Sequence, residues 1–269
     1  MKENVRDGIS ADALKLLAML TMVIDHVGAV LFPRMLILRL IGRLAFPIYV
    51  WLLVEGFAHT SSRKRYMGRM AAFALLSEAP FDLALSGRLT LQWQNVYFSL
   101  FWSLVLLTAL EWVADGGDGK GGGRFEGFRM YAGRHRVVSG ALLLACFMIL
   151  ARLLRFDYGC TAPVLTALFY LYFRTGRPEL LLGFFVFSFS NFCTPLIDGL
   201  QKGGAWPTGN PGVWERAWRT VWIECFGAPA VFLIRRCNGV RRWKKGKLLF
   251  YFFYPLHLLI LYAVRAAIG

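Results

Sequence analysis

Charge is scarce in this chain, and acidic charge is scarcest. Only 17% of its 269 residues are charged, with 16 Asp and Glu against 31 Lys and Arg. A water-soluble fold of this length needs a far more polar surface, so the deficit excludes one. Cysteine is equally thin. Cys146, Cys160, Cys193, Cys225 and Cys237 stand singly, without a CxxC pair or an even framework. That spacing argues against a thiolate metal centre and against a disulfide scaffold. The four histidines (His26, His59, His135 and His257) lie far apart and none falls in HExxH, so no metal site is expected. No GxSxG nucleophile elbow occurs, and the Gly-rich stretch at 116–127 lacks the GxxxxGK[ST] pattern of a phosphate-cradling loop.

The net charge of +15 invites a nucleic-acid reading. The basic residues instead sit in short clusters between apolar runs, and no zinc-finger, basic-zipper or RNA-binding motif accompanies them. Nucleic acid is therefore not an expected partner, and membrane lipids are.

Apolar residues make up 57% of the chain. They fall into long runs that predict an all-α, polytopic transmembrane bundle of about nine spans forming one domain over 1–269. The spans are read at Ala11–Leu31, Leu36–Phe57, Met67–Leu85, Val96–Ala114, Val137–Leu154, Cys160–Phe173, Leu180–Ile197, Trp218–Ile234 and Leu248–Val264. The first run lacks a small-residue cleavage site after it and is read as a retained span. Pro80 is expected to break or kink the third span. The segment 115–135 reads as a flexible Gly-rich cytoplasmic loop. With the N-terminus in the cytoplasm, the loops on that side hold 21 of the 31 Lys and Arg, counting Lys15 and Arg69 with their nearest loops. That bias favours a cytoplasmic N-terminus.

Ionisable residues inside a span are costly and mark functional sites by default. The first span carries three: Lys15, Asp25 and His26. Eleven residues separate Lys15 from His26, about three turns and about 16 Å of rise, which puts both on one helix face. Asp25 points roughly a quarter-turn away from His26. The competing view is plain structure: Lys15 snorkels, Asp25 closes the span and His26 is an interior hydrogen-bonded residue. Arg39 and Arg43 lie four apart on the second span. His257 follows Tyr254 and Pro255 in the last span, either as a second acid/base or substrate contact or as a structural histidine.

Several stretches taken in order, ISADALKLLAMLTMVIDHVGAVLF, LRLIGRLAFPIYVWLLVEGF, SEAPFDLAL, NVYFSLFWSLVLL, FDYGCTA and FFYPLHLLIL, together resemble the TraX family. The resemblance covers nearly the whole chain except the Gly-rich loop and 198–247. It implies a place in a wider group of membrane acyltransferases that includes the type-3 acyltransferases and heparan-glucosaminide acetyltransferase. The founding TraX members are implicated in N-terminal acetylation of pilin.

A basic residue, ten intervening residues and a His mark the catalytic helix of that group, and Lys15 and His26 match the spacing. The resemblance thus implies His26 as the catalytic residue and acetyl-CoA as co-substrate. The acceptor would be a peptide N-terminus or a cell-surface glycan, and the location a bacterial inner membrane. Acyl-CoA would dock on Lys15, Arg63, Lys64, Arg65 and Arg69, or on the basic run at 235–247. Asp25, Asp157, Asp82 or Glu78 would orient the imidazole. Arg39, Arg43, Asn95 or Tyr158 would stabilise an oxyanion. Two other classes compete: a transporter or flippase without covalent chemistry, and a structural component of a secretion or conjugation system. Gly28, Gly42 and Gly56 suit close helix packing, within one chain or in a homo-oligomer.

Overall fold

The computed structural model describes residues 8–90, 92–116, 131–190, 226–241 and 247–268. The Gly-rich stretch at 117–130, the end of the seventh expected span, the first half of the eighth (218–225) and the basic run at 242–246 lie outside the described residues. Within them the protein is all-helical. The helices are α1 (Ala11–Val30), α2 (Leu36–Gly42), α3 (Ala45–His59), α4 (Arg63–Ser86) and α5 (Val96–Asp115). They continue with α6 (Arg136–Leu153), α7 (Thr161–Thr175), α8 (Glu179–Ser190), α9 (Ala230–Arg235) and α10 (Lys247–Ile268).

Among the described residues, five segments are long and apolar enough to cross a membrane: α1, the joined α2–α3, α5, α6 and α10. Helix α6 buries only Phe147 and Ala151, while Val138, Leu142 and Ile149 are exposed. A helix apolar on its outer face has lipid, not water, as its surroundings. The protein is a helical membrane bundle.

Local chemistry explains the helix ends. Ser10 caps α1 by accepting from the Ala13 amide at 3.1 Å, with Asp12 in the first turn facing the positive end of the helix dipole. Ser62 caps α4 in the same way through the Arg65 amide. Pro80 does not end α4, which continues to Ser86. Proline removes one amide donor, and the buried neighbours of a membrane helix tolerate that loss.

The core lies where α1, α3, α5, α7 and α10 meet, around the fully buried Leu14, Ile48, Leu104, Leu165 and Leu258. Helix α10 packs along α4 and touches α1. Short backbone pairings tie the two ends. Ile9 exchanges hydrogen bonds with Arg236 and Asn238 at the end holding the N-terminus, and Gln94 does so with Arg155 and Asp157 at the opposite end.

The second span is broken at Arg43 and Leu44, between α2 and α3. Two glycines hold it against α1. A Cβ on Gly28 would lie 2.7 Å from the Leu38 Cβ, and one on Gly42 would collide with the Asp25 side chain. Only hydrogen fits at either position. This close approach presses the helix break onto the Asp25–His26 segment.

Candidate active site

The fold brings α1, the α2–α3 break and α10 together around His26. Its Nδ1 lies 2.7 Å from the Nε2 of His257, and the Nδ1 of His257 lies 2.8 Å from the Phe253 carbonyl oxygen. A carbonyl oxygen only accepts, so the His257 Nδ1 carries a hydrogen. With both rings neutral, the His257 Nε2 is an acceptor and the His26 Nδ1 donates to it. The Nε2 of His26 then carries no hydrogen, and its lone pair has no hydrogen-bond partner among the described residues. His257 therefore has both nitrogens engaged, and its geometry is that of a partner fixing the tautomer of His26. The edge of Tyr254 completes the surround, with ring centroids 5.8 Å from His26.

Asp25 does not orient the imidazole. Its carboxylate accepts from Arg39 at 2.5 Å and from Arg43 at 3.2 Å. Arg39 also donates to the Asp25 backbone carbonyl at 3.3 Å. The reason is directional: consecutive side chains on a helix diverge, so Asp25 turns to α2 while His26 turns to α10. A buried carboxylate is tolerable only when paired, and here two guanidinium groups share it. Arg39 and Arg43 are thereby held beside His26.

Asp25, His26, Arg39, Arg43, Tyr49, Asp157, Tyr158 and Tyr254 line one small chamber of about 70 Å³, with Met22 and Phe46 among its apolar walls. Tyr158 stacks face to face on Phe46, and the Arg43 guanidinium sits 5.8 Å from the Tyr158 ring centre. Tyr254 lines the chamber, and its buried hydroxyl finds no acceptor among the described residues.

A second cavity of about 520 Å³ lies toward the end that carries the N-terminus. Lys15, Arg65, Arg69 and Arg241 line it, with Asp12 as an acidic neighbour and Tyr66, Tyr97 and Tyr251 among its aromatic walls. The Lys15 ammonium lies 3.6 Å over the Phe250 ring. Arg241 is braced by the buried Glu55 at 3.2 Å. Lys15 and His26 thus stand three turns apart on α1, one in each cavity.

Several expected residues are placed elsewhere. Arg63 pairs with Glu111 at 2.5 Å and lines neither cavity, and Lys64 is exposed on the outside of α4. Asn95 is wholly buried away from the chamber. Its side-chain oxygen caps α5 through the Tyr97 amide, and its amide group donates to the Ala74 carbonyl and to Glu78. Glu78 is used by that contact, and Asp82 accepts from Thr90. Asn95 and Glu78 tie α4 to the start of α5, Asp82 anchors the connection between them, and none of the three lines the His26 chamber. Tyr49 and Tyr254 carry no sequence signal as chamber residues.

A membrane bundle that holds a histidine pair, a doubly paired carboxylate and a cation-lined cavity belongs to the class of polytopic proteins with an intramembrane polar site. The model of a family described as "TraX protein" matches residues 10–265, and the chain belongs to that family. Over 120 residues it is 36% identical to a "probable fimbrial assembly protein FimC, serogroup H1" of Dichelobacter nodosus, covering 40% of this chain and 48% of that protein. Over 38 residues it is 50% identical to an uncharacterised protein of Rickettsia prowazekii (strain Madrid E), covering 14% of this chain and 15% of that one. The chain thus spans less than half the length of either relative. No solved structure matches it.

Proposed function

We propose that this protein is an acyl-CoA-dependent acyltransferase of a bacterial inner membrane, its N-terminus in the cytoplasm. It would move an acetyl group to a peptide N-terminal amine or a glycan hydroxyl. The observation that carries this reading is the pairing of a bare His26 Nε2 in a small chamber with a cation-lined cavity three helical turns away. The nucleotide of acyl-CoA is a multiply charged anion, and Lys15, Arg65, Arg69 and Arg241 offer it charge-assisted hydrogen bonds. An extended pantetheine arm covers the rise of about 16 Å from Lys15 to His26. The family membership and the fimbrial relative suit a pilin-like peptide acceptor.

His26 Nε2 serves either of two routes. As general base it takes a proton from the acceptor amine or hydroxyl as that group attacks the thioester carbon. As acyl carrier it attacks the thioester itself, CoA leaves as the thiolate, and the acceptor then takes the acetyl from the imidazole. In both, the tetrahedral oxyanion forms within the chamber that Arg43 and Tyr254 line, and these two are the candidate donors to it. As His26 gains charge, its Nδ1–H bond to His257 becomes charge-assisted and strengthens.

The direct test is release of free CoA from acetyl-CoA by the purified protein in nanodiscs, with and without peptide acceptors. Steady release supports the reading. Folded protein that neither binds nor consumes acyl-CoA with any acceptor overturns it and favours the transporter class.

Two further results are expected from that assay. His257→Ala should lower kcat by at least about 100-fold with little change in KM, because the unhelpful tautomer of His26 becomes available. His257→Gln, whose side-chain oxygen accepts at the same place, should recover part of the loss. A change confined to KM would make His257 a substrate contact instead. Arg65→Ala and Arg69→Ala should each raise KM for acetyl-CoA on the order of tenfold, the worth of one charge-assisted contact, and leave kcat nearly unchanged. Added salt should shrink the difference between wild type and variant.

A further inference from the structure

Among the described residues, Tyr49 is the only one that lines both cavities. It lies on α3 one turn beyond the α2–α3 break, and its chain neighbours Ile48 and Val50 are completely buried while it is not. Its ring therefore stands between the cation-lined cavity and the His26 chamber. The two spaces differ sharply, about 520 Å³ against about 70 Å³. A path that joins the two cavities directly runs past this ring. What remains beyond it must fit a chamber walled by Met22, Phe46 and Tyr158.

We infer that Tyr49 is the gate between the two cavities and the residue that sets acyl-chain length. This inference rests on the acyl-CoA reading and names its specificity determinant. A two-torsion aromatic side chain swings aside for the slender pantetheine arm and a two-carbon acyl group. It closes off the volume that a longer chain would need. A confined apolar pocket discriminates one methylene by roughly 10- to 200-fold, so removing the ring should relax a preference of that order.

The test compares wild type, Tyr49→Phe and Tyr49→Ala for CoA release from acetyl-, butyryl- and hexanoyl-CoA. Wild type and Tyr49→Phe should favour acetyl-CoA. Tyr49→Ala should raise the butyryl-to-acetyl ratio of kcat/KM by at least about tenfold. An unchanged ratio in an active Tyr49→Ala protein overturns the inference. A second measurement needs no catalysis. In a background with the five native cysteines replaced, Met22→Cys places a thiol in the chamber, and a membrane-impermeant thiol reagent is added on the N-terminal side. Its labelling rate should rise at least about tenfold with Tyr49→Ala and stay unchanged with Tyr49→Phe. Equal rates in all three overturn the gate. Absence of CoA release from wild type, with gated labelling intact, removes the acyl-CoA reading and leaves Tyr49 as a gate for another solute.

Discussion

His26→Ala is expected to lower CoA release from acetyl-CoA by at least about 100-fold while acyl-CoA still binds. The substitution removes the ring nitrogen that lines the chamber with a lone pair unpartnered among the described residues. It does not touch Lys15, Arg65, Arg69 or Arg241, three turns away. Binding and turnover should therefore separate: fluorescence or calorimetric titration with CoA gives a Kd close to wild type, and thiol release falls to background. A His26→Ala protein that keeps wild-type turnover would remove this residue from the chemistry. One that loses CoA binding as well would make it part of the binding surface.

The second large effect is expected from Asp25→Ala, and it acts on the fold. Asp25 neutralises two guanidinium groups at the closest approach of α1 and α2. Its side chain is only 10% exposed. Truncating one partner of a buried ionic cluster strands the others without compensation, at a cost of about 3–5 kcal/mol. The variant should lose thermal stability by several degrees and lose turnover together. Asp25→Asn should be intermediate, since its amide oxygen still accepts but carries no charge. Combining Asp25→Ala with Arg39→Met and Arg43→Met removes every stranded charge, so stability should return toward wild type. Turnover should not return, because Arg43 is then missing from the chamber. Stability unchanged in Asp25→Ala would show that the arginines find other partners.

These two residues, adjacent in sequence, illustrate what could be read without coordinates. The helical bundle was legible because lipid demands long apolar runs with satisfied backbones, and α1 begins at Ala11 as the Ser10 cap and Asp12 indicate. The alignment of Lys15 with His26 followed from helical periodicity alone, and each lines a cavity. The role of Asp25 was not legible. Periodicity said that it turns away from His26, but only the fold says that it turns toward Arg39 and Arg43. Asn95 misleads for a similar reason: a buried amide serves a helix cap as well as an oxyanion, and the choice depends on where α4 runs. Among the basic clusters, charge alone could not separate Arg65 and Arg69, which line the larger cavity, from Arg63, which Glu111 draws away. Tyr49 and Tyr254 were silent because an aromatic residue in an apolar span is ordinary packing until a cavity is found beside it.

The most direct test is a cryo-EM map of the protein in nanodiscs with a thioether analogue of acetyl-CoA, which cannot be hydrolysed. The nucleotide should lie among Lys15, Arg65, Arg69 and Arg241, the pantetheine arm should pass Tyr49, and the carbon that stands for the thioester carbonyl should sit beside the Nε2 of His26. Density for the analogue that ends in the larger cavity with Tyr49 shut, or that lies away from both cavities, would contradict a path for acyl-CoA through α1, α3 and α10 to His26.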